Sequence, residues 1–178
     1  MTQTHLVVMG VAGCGKSTVA RGIEDRLGWS FAEGDDFHPS ANIEKMSAGT
    51  PLTDEDRWPW LDTIVTWTNG EAAAGRSTIV TCSALRRVYR DRLRSTPGRT
   101  LFLHLHGNQA LLAERLESRP GHFMPPSLLG SQLATLEPLE PDEDGIVLDI
   151  DAPIPDLVEQ AIRRLGLSQS IHQDKGVM

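Results

Sequence analysis

The sequence contains few of the features that mark secreted or membrane proteins. Its 178 residues include only two cysteines, Cys14 and Cys82, which lie far apart and fit neither a disulfide framework nor a metal site. The longest apolar runs, such as the one at residues 6–9, are far shorter than the ~20 residues of a membrane-spanning helix. No basic stretch followed by an apolar one marks a signal peptide at the N-terminus. The sequence therefore predicts a protein of a reducing, cytoplasmic compartment.

Basic residues are also in the minority. The chain has 17 Lys and Arg against 24 Asp and Glu, which gives a formal net charge of −7. Nucleic-acid affinity depends on Lys and Arg that neutralise phosphates, so this balance argues against a general polyanion binder. It is compatible with a small anionic ligand held by a local cluster of arginines. The length predicts one domain, residues 1–178, with a core that needs no disulfide or structural metal.

Short apolar runs alternate with amphipathic stretches along the chain, which predicts βαβ units around a parallel sheet. Five strands are predicted, at about 6–9, 29–32, 78–82, 100–105 and 146–150. Helices are predicted at about 16–27, within 40–74 with a break at 49–51, from the third strand to 93, at 108–118 and at 154–165. Thr53, three residues before Asp56, predicts a capping box at the helix start after this break, with Asp in place of the usual Glu or Gln. Residues 119–126 contain three prolines and a glycine, which predicts an exposed lid or loop rather than a regular helix.

The turn after the first strand carries a complete phosphate-binding motif. Residues 10–17 read G-V-A-G-C-G-K-S and match G-x-x-x-x-G-K-[ST] at every fixed position. The loop amides and the next helix N-terminus can bind phosphate oxygens, Lys16 can reach the β- and γ-phosphates, and the Ser17 hydroxyl can ligate Mg²⁺. The motif predicts a nucleoside triphosphate site made by Gly10, Val11, Ala12, Gly13, Cys14, Gly15, Lys16, Ser17 and Thr18.

The residues opposite the loop must identify the phosphate acceptor, because motors, switches and kinases share this motif. Glu33, Asp35 and His38 follow the second strand, and the carboxyl ends of parallel strands face the ligand crevice. A carboxylate there can accept the proton of an attacking hydroxyl or hold Mg²⁺ through water. The alternative is a solvated acidic turn in which an aspartate caps the next helix.

Two pairs of arginines are further candidates. Arg86 and Arg90 follow the third strand at the spacing of neighbours on one helix face, which predicts an anion site beside the loop. Arg115 and Arg119 lead into the proline-rich segment, where a closing lid could bring them to the transferred phosphoryl group. Either pair could instead be solvated or salt-bridged on the surface.

Longer blocks of sequence resemble those of gluconokinases. They read G-D-D-F-H-P at 34–39, N-I-E-K-M at 42–46, G-T-P-L-T-D-E-D-R at 49–57, C-S-A-L at 82–85, G-H-F-M at 121–124 and S-Q at 131–132. Together with the phosphate-binding motif they span roughly residues 6–165. The chain is similar to the small, bacterial-type gluconokinases, which are related to shikimate and adenylate kinases.

The resemblance implies transfer of phosphate from ATP to the 6-hydroxyl of D-gluconate, giving 6-phospho-D-gluconate and ADP, with Mg²⁺. This reaction feeds the pentose phosphate or Entner–Doudoroff route. The implied fold is a three-layer α/β P-loop kinase fold with a five-stranded parallel sheet of nucleoside-monophosphate-kinase type. It includes a helical acceptor-binding insert at about 38–75 and a mobile lid at about 119–130. A cytoplasmic homodimer is also implied.

The resemblance also assigns roles to residues. Shikimate kinases have D-x-D where this chain has Glu33-Gly34-Asp35, so Asp35 is the candidate base and Glu33 would hold Mg²⁺ through water. Gluconate is a polyol with one carboxylate, and the candidates to bind it are Asp35, His38, Arg57, Arg86, Arg90, His122 and Gln132. The sequence does not choose among the arginines for that carboxylate. The predicted catalytic residues are Lys16, Asp35, Arg115 and Arg119.

A different class of function is a nucleotide-gated regulatory module, in which hydrolysis or exchange switches a partner. The sequence has no N-K-x-D motif of the kind that recognises guanine in switch proteins. The acceptor insert and the lid favour phosphoryl transfer. Within the kinases, shikimate and adenylate kinases are the alternatives, and the acceptor blocks separate them from gluconokinases.

Overall fold

Five parallel strands form the central sheet of the computed structural model, which describes residues 2–118 and 126–169. The order across the sheet is β2-β3-β1-β4-β5. The strands are β1 (Thr4–Met9), β2 (Ser30–Glu33), β3 (Thr78–Thr81), β4 (Arg99–His106) and β5 (Gly145–Asp149). Every pairing between neighbours is parallel, so the prediction of a five-stranded parallel sheet is confirmed.

Helices connect the strands. They are α1 (Lys16–Leu27), α2 (Ser40–Ser47), α3 (Asp54–Ala73), α4 (Arg87–Leu93), α5 (Gln109–Glu117), α6 (Pro126–Thr135) and α7 (Ile154–Leu165). The sequence did not predict α6, and residues 126–130 of the predicted lid are its first half. A proline is compatible with the first position of a helix, where an N–H would have no intrahelical acceptor. Arg119 and His122 lie outside the described residues.

Helices cover both faces of the sheet. On one face, α1 and α7 pack against Leu6 and Val8 of β1, and on the other face α3 and α4 pack against Val7 and Met9. A strand buried on both faces needs apolar residues at every position rather than at every second one. This explains why β1 is a continuous apolar run in the sequence.

Local sequence signals set the helix ends. Thr53 and Asp56 form the predicted capping box at the start of α3, since the Thr53 hydroxyl accepts the Asp56 N–H at 3.2 Å and the Asp56 carboxylate accepts the Thr53 N–H at 2.9 Å. At the start of α5, Asn108 Oδ1 accepts the Leu111 N–H at 2.8 Å. The cap of α3 matters for function because this helix carries residues of the candidate site.

A fully buried ion pair joins α4 to the segment before β5. The Nε and Nη2 atoms of Arg90 donate to the Glu143 carboxylate at 2.7 and 3.0 Å. The other N–H groups of Arg90 donate to the backbone carbonyls of Ala84, Glu137 and Pro138. These contacts use all the donors of a guanidinium group. The prediction that Arg90 binds the substrate is therefore wrong, because its side chain is 0% exposed and has no donor left for an anion.

The same pair sets the pKa of Glu143. Burial alone would raise the pKa of this carboxyl group, but hydrogen bonds from Arg90, from the backbone of Glu140 and from Arg94 outweigh it and lower the pKa to about 2. The ionised form is therefore bound more tightly by the folded chain than by the unfolded chain.

We expect Glu143→Gln to lower the free energy of unfolding by about 3–5 kcal/mol, because it leaves the buried Arg90 charge without a counter-charge. Urea denaturation at neutral pH measures the loss. In the wild type, the contribution of the pair is complete above the ordinary pKa of 4.5 and is lost as the pH falls toward 2. Asp62→Asn, which breaks the exposed Arg92–Asp62 pair, is the control. Losses of equal size in both variants would contradict this assignment.

Candidate active site

A cavity of about 570 Å³ opens at the carboxyl ends of β1, β2 and β3. Its walls come from the phosphate-binding loop, the turn after β2, the end of β3, and the helices α1, α2, α3, α5 and α6. The predicted site residues that line it are Ala12, Gly13, Gly15, Lys16, Ser17, Glu33, Asp35, His38, Arg57 and Gln132. The fold therefore brings most of the predicted site residues together around one cavity.

The phosphate-binding loop is held in an open ring. Gly13 and Gly15 have φ angles of 83° and 92°, in the left-handed region that other residues rarely adopt. The ammonium group of Lys16 donates to the carbonyls of Gly10 and Val11 at 2.9 and 3.1 Å, so it lies inside the ring. The side chains of Val11 and Cys14 are buried in the core, and Thr18 is exposed on α1. Val11, Cys14 and Thr18 therefore contribute no side chain to the cavity.

The turn after β2 is fixed against the end of β3. A short 3₁₀ helix, Gly34–Phe37, follows β2 directly. A Cβ atom on Gly34 would lie 1.9 Å from the carbonyl oxygen of Thr81, so only glycine fits there. The Gly34 N–H donates to the Thr81 hydroxyl at 3.2 Å, and this hydroxyl donates to Glu33 Oε2 at 2.6 Å. Thr81 thus fixes both the turn and the direction of the Glu33 carboxylate.

Asp35 and His38 extend from this turn into the cavity. The Asp35 side chain is 84% exposed, and its Oδ1 lies 3.6 Å from His38 Nε2. The His38 side chain is buried and stacks on Trp60, with ring centroids 4.1 Å apart and planes 17° apart. Asn42 Nδ2 lies 3.2 Å from His38 Nδ1. The turn therefore presents an accessible carboxylate beside a tightly held imidazole.

Arg57, on α3, lines the wall of the cavity beside the turn. Its Nη1 atom donates to the carbonyl of Leu52 at 2.7 Å and to the Tyr89 hydroxyl at 3.1 Å. Arg86 lines an adjoining cavity of about 460 Å³, which Arg57 also lines. Its guanidinium lies 2.9 Å from an Asp54 oxygen and 3.7 Å from a Glu137 oxygen. Arg86 is therefore already paired with carboxylates.

The carboxylate of Asp54 links these two arginines. It accepts a short hydrogen bond from the Tyr89 hydroxyl, and this bond, together with Arg86 and Arg57, lowers the pKa of Asp54. Burial raises the pKa of Tyr89, and the hydrogen bond to Asp54 raises it further. A neutral tyrosine and an ionised aspartate thus hold Arg57 in place.

Gln132 contacts the phosphate-binding loop, whereas Arg115 contacts the backbone just after β5. Gln132 Oε1, on α6, accepts the N–H of Ala12 at 2.7 Å and so ties α6 to the loop. Arg115 Nη2 donates to the carbonyl of Ile150 at 2.8 Å, and Arg115 is not among the residues that line the cavity. In this structure Arg115 braces the residue just after β5, and its predicted action on the transferred phosphoryl group stays a prediction.

Sequence reasoning missed four residues that support the site, namely Asn42, Trp60, Thr81 and Tyr89. None of them carries a charge, so none stood out as a candidate for phosphate or carboxylate chemistry. Asn42 and Tyr89 lie within or beside the blocks that resemble gluconokinases, which is the signal that could have found them.

Cys82, in the C-S-A-L block, is no nucleophile, because burial raises the pKa of its thiol to about 12.

The cavity has side-chain oxygen atoms suited to coordinate a Mg²⁺ ion that is also bound by substrate phosphates. Within residues 2–118 and 126–169, no group of three or more His, Cys, Asp or Glu side chains could hold a metal ion by itself. Ser17 and Glu33 both line the cavity, and Mg²⁺ sites typically combine one or two protein oxygens with waters and substrate phosphates.

In the part of the chain that the structure describes, no helix has the length and apolar character to cross a bilayer.

The chain is similar to known kinases over most of its length. The gluconokinase of Gluconobacter oxydans (strain 621H) is 51% identical over 159 residues, which cover 89% of this chain and 89% of that protein. No protein-family model matches the chain.

Two solved structures have the same fold. The unliganded sugar kinase from Janibacter sp. HTCC2649 has a TM-score of 0.89 and 55% identity, covering 92% of this chain and 95% of that one. The gluconokinase from Sinorhizobium meliloti 1021 has a TM-score of 0.83 and 46% identity, covering 93% of each chain. Because it is 51% identical to a gluconokinase over 89% of its length, the chain belongs to the gluconokinase family.

Proposed function

We propose that the protein is a kinase that transfers the γ-phosphate of ATP to the 6-hydroxyl of D-gluconate, giving 6-phospho-D-gluconate and ADP. The observation that carries this proposal is that one cavity holds the phosphate-binding loop with Lys16, the accessible carboxylate of Asp35 and the guanidinium of Arg57. The first group binds the donor, the second can take a proton, and the third can bind the carboxylate of a sugar acid.

The loop binds the triphosphate through its backbone amides, as phosphate-binding loops do. Lys16 now contacts carbonyls of its own loop, and on binding it would turn to the β- and γ-phosphate oxygens. Ser17 directly, and Glu33 through a water molecule, would hold Mg²⁺. When bound, this ion neutralises negative charge on the phosphate oxygens.

Asp35 is the proposed general base. An alcohol has too high a pKa to ionise unaided, so its proton must pass to a positioned group as the new O–P bond forms. Asp35 and Asp36 are both exposed carboxylates of the turn that line the cavity, whereas Glu33 accepts a hydrogen bond from Thr81. Asp35 is preferred over Asp36 because it matches the second aspartate of the shikimate kinase D-x-D and lies beside His38. In the transfer, the 6-hydroxyl oxygen bonds to the γ-phosphorus, the bond to the β-γ bridging oxygen breaks, and ADP leaves.

Arg57 is the proposed partner of the gluconate carboxylate. Arg90 is buried with every donor used, and Arg86 is paired with Asp54 and Glu137. The hydrogen bonds of Arg57 to described residues all come from Nη1, so Nε and Nη2 can bind a carboxylate as a pair of donors. Gln132 would bind a gluconate hydroxyl, while His38, which is buried beside Asp35, would support that carboxylate. The homodimer, the cytoplasmic location, the single domain, the insert at about 38–75 and the lid stay predictions.

A coupled assay with MgATP and a panel of acceptors tests the function. We expect ADP release that requires gluconate, with no comparable release on shikimate or AMP. AMP has no carboxylate for Arg57, and shikimate is a ring acid without a terminal hydroxymethyl group to accept the phosphate. Release of ADP at the same rate without any acceptor would instead favour the nucleotide-gated regulatory module.

Replacing the proposed base should slow the chemical step. We expect Asp35→Asn to lower kcat by ~100-fold or more, because the amide cannot accept the proton. The KM for ATP should change little. Steady-state kinetics measure both values, and Asp36→Asn, which removes the neighbouring carboxylate of the same turn, should cost much less. Unchanged turnover in Asp35→Asn would remove Asp35 from this role.

Replacing Arg57 should weaken gluconate binding selectively. We expect Arg57→Gln to raise the KM for gluconate by roughly 10-fold to 100-fold, the usual effect of losing a charged hydrogen-bonded pair, without a similar change for ATP. Arg86→Gln is the matched control, with a smaller expected effect. D-glucitol has a hydroxymethyl group in place of the carboxylate, so wild type and Arg57→Gln should use it equally poorly. A strong preference of Arg57→Gln for gluconate over glucitol would contradict the assignment.

A further inference from the structure

A buried chain of polar contacts lies behind the acidic turn. Asn42, on α2, is 3% exposed, and its Nδ2 atom lies 2.9 Å from the backbone carbonyl oxygen of Asp56 and 3.2 Å from His38 Nδ1. A backbone carbonyl can only accept a hydrogen bond, so the atom of Asn42 that faces it must be the amide nitrogen. The contact with Asp56 therefore fixes which way the Asn42 amide points.

The orientation of this amide determines the tautomer of His38. The Asn42 nitrogen is a donor, so Nδ1 of His38 must accept from it and carries no hydrogen. In a neutral imidazole the single hydrogen is then on Nε2. A hydrogen on Nδ1 would place two donors face to face at a buried position, where an unsatisfied donor is costly.

The ring of His38 cannot easily leave this arrangement. It stacks on Trp60 at 4.1 Å, and the indole N–H of Trp60 donates to the carbonyl of Gly34 at 2.7 Å. A flip of the imidazole would replace Nδ1 by a carbon atom and break the contact with Asn42. Nε2 is thus held on the side of the ring that faces Asp35.

We propose that Asn42 is a positioning residue for phosphoryl transfer: it fixes the Nε2–H tautomer of His38, and His38 donates this hydrogen to Asp35. In the structure Nε2 lies 3.6 Å from Asp35 Oδ1, slightly longer than a hydrogen bond. The Asp35 side chain is 84% exposed, and a small rotation about its side-chain bonds closes the gap. Catalytic hydrogen bonds commonly tighten when the substrate binds.

The consequence for the reaction is that His38 acts as a donor and not as a base. With Oδ1 held by His38, the other oxygen of Asp35 is directed to the acceptor hydroxyl. This role rests on the proposed function, in which Asp35 takes the proton. The tautomer of His38 does not depend on that function and can be measured without turnover.

Nitrogen NMR of the imidazole rings in the ¹⁵N-labelled, full-length protein tests the tautomer directly. When the His38 imidazole is neutral, we expect it to show a protonated Nε2 and an unprotonated Nδ1 in the wild-type protein. The His38 signals are identified by their loss in His38→Gln. A protonated Nδ1 in the wild type would overturn the proposal.

Substitution of Asn42 tests its control over the tautomer. Asn42→Asp has nearly the same shape, but its carboxylate accepts where the amide donated, so we expect Nδ1 of His38 to become protonated. We expect kcat with gluconate to fall roughly 10-fold to 100-fold, the cost of one charge-assisted hydrogen bond, with the KM for ATP unchanged. Unchanged kcat, or a drop with an unchanged tautomer, would overturn the proposal.

Two further variants separate positioning from folding. Thr68→Val removes a buried hydroxyl that donates to the Ile64 carbonyl on α3, away from the cavity. It controls for general loss of stability and should leave kcat near the wild-type value at a matched loss in melting temperature. Asn42→Leu should lose the tautomer preference without reversing it. If Asn42→Asp does not fold, the tautomer and kcat of Asn42→Leu decide the same question.

Two replacements of His38 itself distinguish a donor from a base. The amide nitrogen of glutamine can occupy the position of Nε2, whereas that of asparagine reaches only the position of Nδ1. We expect His38→Gln to keep clearly more of the wild-type kcat than His38→Asn. Equal and complete loss in both would show that His38 must accept a proton and would overturn the proposal. If wild type itself does not phosphorylate gluconate, the proposed function fails, while the NMR result still decides the tautomer.

Discussion

The contact between Gly34 and the end of β3 is the constraint on which the rest of the site depends. Gly34 lies so close to the Thr81 carbonyl that a Cβ atom would be 1.9 Å from its oxygen. Its N–H is bound by the Thr81 hydroxyl and its carbonyl by the Trp60 indole. Any side chain at this position must push the turn away from the sheet. Because Glu33 and Asp35 flank Gly34, both would move relative to the phosphate-binding loop.

β3 lies between the two halves of the site and joins them. It pairs with β2, which leads into the acidic turn, and with β1, which leads into the phosphate-binding loop. The N–H of Gly10 donates to the carbonyl of Ser83 just beyond β3, at 3.3 Å. On the other side of the loop, Gln132 accepts the Ala12 N–H. The donor and acceptor sides are thus positioned by strand pairing, backbone contacts and side chains packed against the backbone, which suits a reaction that depends on alignment.

The sequence predicted what local patterns determine. Apolar runs predicted the five strands, and Thr53 and Asp56 predicted the cap of α3, because both signals lie within a few residues. Arg90 shows where this reasoning ends. Its spacing from Arg86 places both on one helix face, but its partner Glu143 is 53 residues away, and no local pattern shows that the pair is buried. Helix α6 was missed because prolines at 125 and 126 obscured the helix start.

The arginines beside the site show how the fold selects one cation from several. In a chain with a net charge of −7, a small anion needs a local positive group that protein carboxylates have not neutralised. Glu143 neutralises Arg90 in the core, and Asp54 and Glu137 lie against Arg86. Arg57 instead makes its hydrogen bonds to two neutral oxygens, those of Leu52 and Tyr89. The charge of Asp54 acts on Arg57 without a direct hydrogen bond, so Arg57 keeps more of its attraction for a sugar acid than the directly paired Arg86 does.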